Sequence, residues 1–341
     1  MRLPLLLLLV LLSTALAACG EREDPSAPAG ETPSERVDLV LDYFPNADHA
    51  GIYAAIGSGA FEDVKLDVVP RAPSDPSAPL RLLAAGRADL AISYEPEVLL
   101  ARDRGLKVVA IGALVQVPLT SIISIGDKAV RRVEDLEGKR VGTAGIPYQD
   151  AYLSAILADA GIDEGSVEKV NVGFNLTPAM LSRRVDATLG SFWNYEGVEL
   201  QRRKRKPQIL RVEELGVPTY NELVVVAREQ DARERGAVLR RFMLALSRGH
   251  ERLREDTESG IRPLLQANRD LDADLQRAAV RATLPVFFPE DERRPFGWMD
   301  SGEWQAYGRW LLEHDLLKRR EDPARALTTE FLPGEGPIRD E

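Results

Sequence analysis

Two short segments, one in each half of the chain, repeat the same order of residue types, and this repeat restricts the possible folds most strongly. Residues 82–93 read LLAAGRADLAIS and residues 181–190 read LSRRVDATLG, with an Arg-x-Asp motif that ends at Asp89 in one and Asp186 in the other. Each segment is typical of a helix end, a short turn and a brief buried strand. The repeat predicts two similar α/β units, although two alanine-rich segments can also resemble each other by chance.

An apolar strand is predicted ahead of each repeated segment, which extends the similarity between the two units. Residues 37–41 alternate aliphatic side chains with Asp38 and Val40, and residues 140–144 form the corresponding strand in the second half. About 300 residues follow the N-terminal region, which is more than a single core usually holds. The chain is therefore expected to fold as two lobes.

Polar and aromatic residues follow three of the predicted strands. They occupy residues 42–53 after the first strand, residues 93–96 after the first repeated segment and residues 191–196 after the second. Open α/β sheets bind ligands outside the carboxyl ends of their strands. We expect the three segments to converge on a cleft between the lobes. Residues 42–53 are also compatible with an ordinary strand-to-helix connection whose aromatic rings only pack.

Among these segments, 191–196 is the richest in side chains suited to ligand recognition. Trp193 and Tyr195 offer flat faces for a planar heteroaromatic ring, and Asn194 and Glu196 offer donors and acceptors for its edge. Because strand residues alternate between two faces, all four can line one site only if the strand ends here, and Gly197 favours such an end. A core position for Trp193 is an equally good interpretation. Glu196 is the stronger candidate, since a buried carboxylate needs a donor.

Two further segments have weaker signals. Asp150 follows the predicted strand at residues 140–144 and precedes an apolar helix, and we interpret it as a simple helix cap. The alternative is that backbone N–H groups at this helix start hold an anion or a ligand carbonyl. Asn221 and Glu222 precede another apolar strand and, with Tyr220, are candidates for a crossover between the lobes.

The N-terminus predicts export. Arg2 precedes an apolar run at residues 3–12, and small residues then lead to Cys19, a pattern that resembles a bacterial lipoprotein signal. It predicts a signal peptide at residues 1–18, acylation of Cys19 and a solvated tether at residues 19–36. An uncleaved membrane anchor is the alternative. Cys19 is the only cysteine, so an internal disulfide is excluded.

The charge of the chain argues against a nucleic-acid partner. The chain contains 44 Lys and Arg residues against 54 Asp and Glu residues, which gives a formal net charge of -10. One basic run at residues 202–206 is interpreted as a solvated loop or helix face. The sequence contains neither a metal-ligand motif nor a phosphate-binding glycine loop, so no metal site or cofactor is predicted. Trp298, Trp304 and Trp310, six residues apart, are expected to pack the last helix onto a lobe.

The run at residues 41–53, LDYFPNADHAGIY, resembles the signature loop of the NMT1/THI5-like proteins. Within that group the chain resembles the solute-binding lipoproteins of ABC importers for thiamine-precursor pyrimidines. The resemblance extends from about Val37 to Leu317, and further segments carry it: 93–96, 193–197, 220–224 and 296–300.

The resemblance implies a fold and a place in the cell. The fold is an α/β, periplasmic-binding-protein type II-like fold, with two α/β lobes around a ligand cleft joined by two crossovers. Lobe 1 would comprise residues 37–123 plus 222–341 with the C-terminal helices, and lobe 2 residues 124–221. The protein would be lipid-anchored on the extracytoplasmic face of the cell membrane, and its partners would be an ABC permease and, through it, an ATPase.

The resemblance also implies the ligand and its contacts. The ligand would be formylaminopyrimidine or hydroxymethylpyrimidine, enclosed on closure of the cleft without catalysis. An aromatic pair would sandwich the ring and Glu196 would accept from its amino group or hold its ring nitrogen. The candidate contacts, the better ones first, are Tyr43, Asn46, Tyr94, Trp193, Tyr195 and Glu196, followed by Asp42, His49, Glu95, Asn194 and Glu222.

Two alternatives stay open within the same family. Some members resemble riboflavin receptors and others bind sulfonates, and a flavin also stacks on aromatic side chains. The yeast pyrimidine synthases resemble this fold but use pyridoxal phosphate on a lysine, a histidine in the site and a cysteine-rich iron-binding motif. Because no cysteine follows Cys19 and only His49 lies in a candidate site, that chemistry is disfavoured.

Overall fold

The structure is a computed structural model, and it describes residues 34–127, 129–318 and 322–334. The predicted signal peptide at residues 1–18, Cys19 and nearly all of the predicted tether lie outside the described residues.

The described residues form ten strands, which build two five-stranded mixed sheets. The first sheet has the order β2-β1-β3-β10-β4 and the second the order β7-β6-β8-β5-β9. Each sheet contains a fully buried strand, at residues 108–115 in the first and 120–124 in the second, as expected for sheets covered on both faces. The strands are β1 Glu35–Val40, β2 Leu66–Arg71, β3 Leu90–Ser93, β4 Val108–Val115, β5 Thr120–Ser124, β6 Arg140–Thr143, β7 Glu168–Asn171, β8 Ala187–Phe192, β9 Gln208–Arg211 and β10 Leu223–Arg228.

Helices connect these strands and pack on both sheets. Helices α3 and α4 contact the first sheet, and α5 and α6 contact the second. No described helix combines the length and the apolar character needed to cross a membrane. The helices are α1 Ala50–Gly57, α2 Ala60–Asp63, α3 Pro79–Ala84, α4 Glu95–Asp103, α5 Pro147–Asp159, α6 Leu176–Leu181, α7 Glu196–Arg202, α8 Glu229–Glu234, α9 Gly236–Glu255, α10 Glu258–Ala267, α11 Ala273–Thr283 and α12 Ser301–Glu313.

The sequence repeat is a structural repeat. Asp89, just before β3, accepts a hydrogen bond on Oδ2 from the backbone N–H of Asp38 in β1, over 2.9 Å. Asp186, just before β8, accepts the same bond from Arg140 in β6, over 3.0 Å. In both sheets the paired strands are parallel neighbours. The two aspartates therefore hold equivalent strand pairs together, and the similarity of the two segments reflects a shared α/β unit.

Two connections carry the chain between the sheets, at residues 116–119 and 212–222. Glu222 joins them: its Oε2 accepts from the N–H groups of Leu119 and Thr120 over 2.6 and 2.8 Å, and its Oε1 accepts from the Thr120 hydroxyl. Tyr220 donates its hydroxyl to the same carboxyl group. The first crossing precedes the boundary expected at residue 123, and the division into lobes stays a prediction.

The C-terminal helix packs on the second connection, as its tryptophans predict. Trp304 in α12 is fully buried, and its indole Nε1 donates to Asn221 Oδ1 over 2.9 Å. Trp310, later in the same helix, is also buried. Trp298 precedes the helix and is half-buried, with the Arg294 guanidinium 4.0 Å from its ring centroid.

The basic run at residues 202–206 is exposed along its whole length. Arg203 pairs with Glu199 one helical turn earlier, and Arg202 lies 3.6 Å from Asp274. The interpretation of this run as a solvated helix end is confirmed.

Candidate functional site

A small cavity lies where strand ends of the two sheets meet. Its walls come from the segments after β1, β3, β6 and β8, in agreement with ligand binding at the carboxyl ends of strands. The lining residues are Asp42, Tyr43, Asn46, Asp48, Tyr94, Ala144, Ile146, Tyr148, Gln149, Leu176, Gly190, Phe192, Tyr195 and Glu196.

The turn after β1 is fixed by a capping box. Asn46 caps the short 3-10 turn Ala47–His49, and its Oδ1 accepts from the Asp48 N–H over 2.8 Å. The Nδ1 atom of His49 accepts in return from the Asn46 N–H over 3.2 Å. Because both bonds are local, this short sequence fixes the conformation of the turn that carries Asn46 and Asp48.

Asp42 organises the first-sheet side of the cavity. Its Oδ1 lies 2.8 Å from His49 Nε2, and its Oδ2 accepts from the Tyr94 hydroxyl over 2.8 Å. Since Nδ1 of His49 is an acceptor, Nε2 carries the proton and donates to Asp42. Burial raises the pKa of Tyr94 well above its usual value, which keeps this phenol a donor. His49 therefore holds Asp42 in the cavity wall and does not itself line the cavity.

The second-sheet side presents Tyr195 and Glu196 where β8 gives way to α7. Oε2 of Glu196 accepts from the Phe192 N–H over 2.8 Å, and Tyr195 receives a hydrogen bond from Gln276 Nε2 over 3.0 Å. Glu196 is 7% exposed, and burial, reinforced by the nearby Asp48 carboxyl, raises its pKa to about 8. A carboxyl group in this state can donate or accept a proton near neutral pH.

Asp48 is a second buried carboxyl group in the cavity wall. Its Oδ1 accepts from Asn194 Nδ2 over 2.6 Å and from the Thr283 hydroxyl over 3.2 Å. Burial raises its pKa to about 6. Asn194 thus holds Asp48 and does not itself line the cavity.

The family model described as NMT1/THI5 like matches residues 46–259. The chain belongs to this family. A formylaminopyrimidine-binding protein of Halalkalibacterium halodurans is 33% identical over 287 residues, which cover 84% of this chain and 87% of that protein. A 4-amino-5-hydroxymethyl-2-methylpyrimidine phosphate synthase of Legionella pneumophila is 27% identical over 303 residues, covering 87% of this chain and 92% of that protein.

Solved structures confirm the fold expected for this family. The alkanesulfonate-binding protein of Xanthomonas axonopodis pv. citri, solved with MOPS bound, superposes with a TM-score of 0.67 at 18% identity. The match covers 87% of this chain and 99% of that protein. The chain therefore has the two-sheet periplasmic-binding-protein fold, and residues from both α/β units line the cavity.

Several cavity residues were not among the candidates of the sequence analysis. Gln149 accepts on Oε1 from the Ala144 N–H over 2.8 Å, and a Cβ added to Gly190 would lie 2.1 Å from its Nε2. Gly190 also has φ +96°, which favours glycine. The other lining residues that the analysis did not select are Asp48, Ala144, Ile146, Tyr148, Leu176 and Phe192.

The repeat contained a signal for some of these residues. Pro147, Tyr148 and Gln149 follow β6 as Pro45 and Asn46 follow β1, so the second loop matches a candidate loop in the first. The sequence analysis assigned Asp150 in this segment a simple cap and gave ligand binding by the backbone N–H groups of this helix start as the alternative.

The assignment of Asp150 as a helix cap is wrong. The N-cap of α5 is Ile146, which provides no side-chain acceptor, and Asp150 lies in the first turn. Glu97 in α4 accepts instead from the Tyr148 N–H over 3.1 Å. An acceptor from a distant helix replaces the local cap that the sequence suggested.

Three candidate residues lie behind the cavity, towards the connections between the sheets. Trp193 donates its indole Nε1 to the Pro118 carbonyl over 3.1 Å, with the Arg211 guanidinium 4.2 Å from the ring centroid. Glu95 accepts on Oε2 from the Asn221 N–H over 2.8 Å. Glu222 joins the two connections, as described above. None of the three lines the cavity.

Aromatic contacts join the two α/β units beside the cavity. The Tyr43 hydroxyl donates to the Phe174 carbonyl over 2.5 Å, and the rings of Phe44 and Phe174 lie 4.4 Å apart. Phe44 is 45% exposed although it is a large apolar residue. These contacts join the first-sheet turn to the second unit beside the cavity.

Proposed function

We propose that this protein is the extracytoplasmic receptor of an ABC importer and that it binds a thiamine-precursor aminopyrimidine in the cavity. The candidate ligands are formylaminopyrimidine and hydroxymethylpyrimidine. The protein holds the ligand without transforming it and releases it to a permease.

The composition of the cavity wall carries this proposal. Tyr43, Tyr94, Tyr148 and Tyr195 supply aromatic surface for a flat ring, and no described residue that lines the cavity is Lys, Arg or His. The carboxyl groups in the wall suit a ligand rich in N–H donors, as an aminopyrimidine is. A phosphate or sulfonate would meet carboxyl groups and no cationic partner.

The same wall supports a receptor over a synthase. A pyridoxal-phosphate mechanism needs a lysine at the aldehyde and donors around a phosphate. The lining residues offer neither a lysine nor an arginine, and the relative from Halalkalibacterium halodurans is itself a binding protein. The carboxyl groups therefore serve as hydrogen-bond acceptors for the ligand.

Closure of the cleft couples binding to transport. Asn194 of the second unit binds Asp48 of the first, and Tyr43 reaches across to Phe174. A ligand that contacts both walls favours the closed state by the difference between its interactions with the closed and open forms. The permease would then recognise that closed form.

Lipid anchoring through Cys19 is part of the proposal, and it rests on the sequence pattern ahead of that residue. We expect Cys19→Ser to move the protein from the membrane fraction to the soluble fraction without changing its affinity for the ligand. Fractionation with metabolic labelling by a radioactive fatty acid tests this. Retention of the unlabelled variant in the membrane fraction would contradict lipid anchoring.

The ligand is tested by calorimetric titration of the mature protein with formylaminopyrimidine, hydroxymethylpyrimidine and riboflavin. We expect a pyrimidine to bind and Glu196→Gln to weaken its binding by about 1.5–3 kcal/mol, roughly 10- to 150-fold. A ligand N–H group that donates to Glu196 favours the carboxylate form of this side chain, and glutamine cannot supply that charge. Glu199→Gln, one turn along the same helix and outside the cavity wall, is the matched control.

The outcomes of this titration separate the alternatives. If riboflavin binds and neither pyrimidine does, the ligand of this receptor is a flavin and not a pyrimidine. Binding of neither class would contradict the proposed ligand, and equal affinity in Glu196→Gln would remove Glu196 from the binding site.

A further inference from the structure

Basic side chains gather at one end of the second sheet. One group lies in the turn before β8 and the other in the segment before β9. The first residues of β8 and β9 both pair with Ser124, the last residue of β5, so the two groups extend from the same edge of the sheet. We call this group the basic edge, and its members, all exposed, are Arg183, Arg184, Lys204, Arg205 and Lys206.

The basic edge lies at the opposite end of the second unit from the cavity. Leu176 at the start of α6 and Glu196 at the start of α7 line the cavity, whereas the basic edge follows the C-terminal ends of these two helices. The C-terminal end of a helix favours cations, but that effect falls off within the last turn. Because α7 ends at Arg202, the helix dipole does not account for residues 204–206.

The charges of the basic edge are not neutralised by the protein. Within the described ranges, none of its side chains forms an ion pair, and the acidic residues next to it in the sequence are paired elsewhere. Asp186 binds Arg140, and Glu199 binds Arg203. Asp127, which follows β5 at the same edge, is exposed, but the cations outnumber it. The edge therefore presents a positive surface on a chain whose formal net charge is -10.

Three members of the basic edge occupy a backbone conformation that favours glycine. The φ angles of Arg183, Lys204 and Lys206 are +59°, +57° and +47°. Residues other than glycine and asparagine are uncommon in this region, because the Cβ atom crowds the neighbouring carbonyl oxygen. The chain therefore holds cations at these positions in spite of a conformational cost.

We propose that the basic edge binds the anionic headgroups of the membrane to which the chain is tethered. This goes beyond the receptor function and rests on the proposed lipid anchoring only for the location of the protein. Each Lys or Arg near an anionic lipid surface strengthens binding about fivefold. Screening over about 8 Å at physiological ionic strength lets the charges on the contacting face outweigh the net charge of the chain. Such contact would orient a domain that a flexible tether leaves free to rotate.

Vesicle binding of the lipid-free protein tests this proposal. The protein is the chain from residue 19 onward with Cys19→Ser, titrated with vesicles of phosphatidylcholine alone or with about 30% phosphatidylglycerol and then sedimented. We expect binding to the anionic vesicles alone, and release when NaCl is raised from about 0.05 to 0.5 M. The combined variant Lys204→Gln, Arg205→Gln and Lys206→Gln should bind at least about tenfold more weakly.

A matched variant separates the position of the cations from the net charge. Lys65→Gln, Lys107→Gln and Arg248→Gln together remove the same charge from three exposed positions of the first unit. Lys65 also shares the positive φ, at +58°. This control should bind the anionic vesicles within about threefold of the lipid-free protein that keeps all its cations.

The possible outcomes give a clear decision. Absence of binding to anionic vesicles, equal binding to neutral vesicles, or equal weakening in both triple variants would overturn the proposal. Binding only to vesicles that also contain the permease would assign the basic edge to a protein partner and overturn the membrane contact. The vesicle assay contains no ligand, and both triple variants should keep the affinity for the pyrimidine. Failure of this inference and failure of the proposed function are therefore distinguishable.

Discussion

Replacement of Trp304 by alanine is expected to lower the free energy of unfolding by about 3–5 kcal/mol. Trp304 is completely buried between α12 and the second connection between the sheets, and its indole Nε1 satisfies Asn221 Oδ1. The substitution removes a large buried ring, leaves a cavity and removes the donor of a buried amide oxygen. Urea unfolding at neutral pH measures the loss.

Two further variants separate packing from the hydrogen bond at this position. Trp304→Phe keeps a six-membered aromatic ring at this position but loses the bond to Asn221 and part of the buried indole, so we expect a cost of about 1–2 kcal/mol. Trp298→Ala removes a half-buried tryptophan ahead of the helix and should cost clearly less than Trp304→Ala. An equal loss for both tryptophans would contradict the argument that α12 is anchored through Trp304.

The overall fold was accessible from the sequence because its evidence is local. The Arg-x-Asp repeat predicted two α/β units, and Asp89 and Asp186 make equivalent bonds in the two sheets. Helix ends, tight turns and apolar strands are decided over a few residues, and these patterns are visible in a single sequence. The same holds for Asn46, whose capping interactions are made within four residues.

The candidate site was only partly accessible, because several of its contacts join distant parts of the chain. The strand β8 does end at Phe192, as the sequence analysis required, but Trp193 then turns to Pro118 while Tyr195 and Glu196 reach the cavity. Asp48 owes its position to Asn194 and Thr283 in addition to its own turn. No local pattern encodes such pairings.

The candidate residues behind the cavity show a second limit on predicting the site from the sequence. Glu95 and Glu222 are buried carboxyl groups close to the site, and residue type alone does not distinguish a ligand contact from a structural one. In the structure, Glu95 and Glu222 accept hydrogen bonds from the connections between the sheets. Both therefore belong to the framework that holds the two units together.

Replacement of Glu222 by alanine is the second large effect that we expect, with a loss of roughly 3–5 kcal/mol in the free energy of unfolding. The side chain is completely buried, and it accepts from the N–H groups of Leu119 and Thr120 as well as from the Tyr220 hydroxyl. Alanine leaves these donors buried without that acceptor, and each unsatisfied group costs about 1–3 kcal/mol. Urea unfolding measures the total.

The residues at which hydrogen exchange accelerates distinguish loss of this contact from a general loss of stability. Because Glu222 ties the first connection to the second, amide hydrogen exchange at Leu119 and Thr120 should accelerate more in Glu222→Ala than exchange in the sheet cores. Glu222→Gln keeps one acceptor oxygen and should lose about half as much stability. Glu214→Ala, an exposed glutamate in the same connection, should change stability by less than about 0.5 kcal/mol. If Glu222→Ala and the Glu214→Ala control lose the same small amount of unfolding free energy, other contacts hold the two connections together. The role of Glu222 would then be something other than structural.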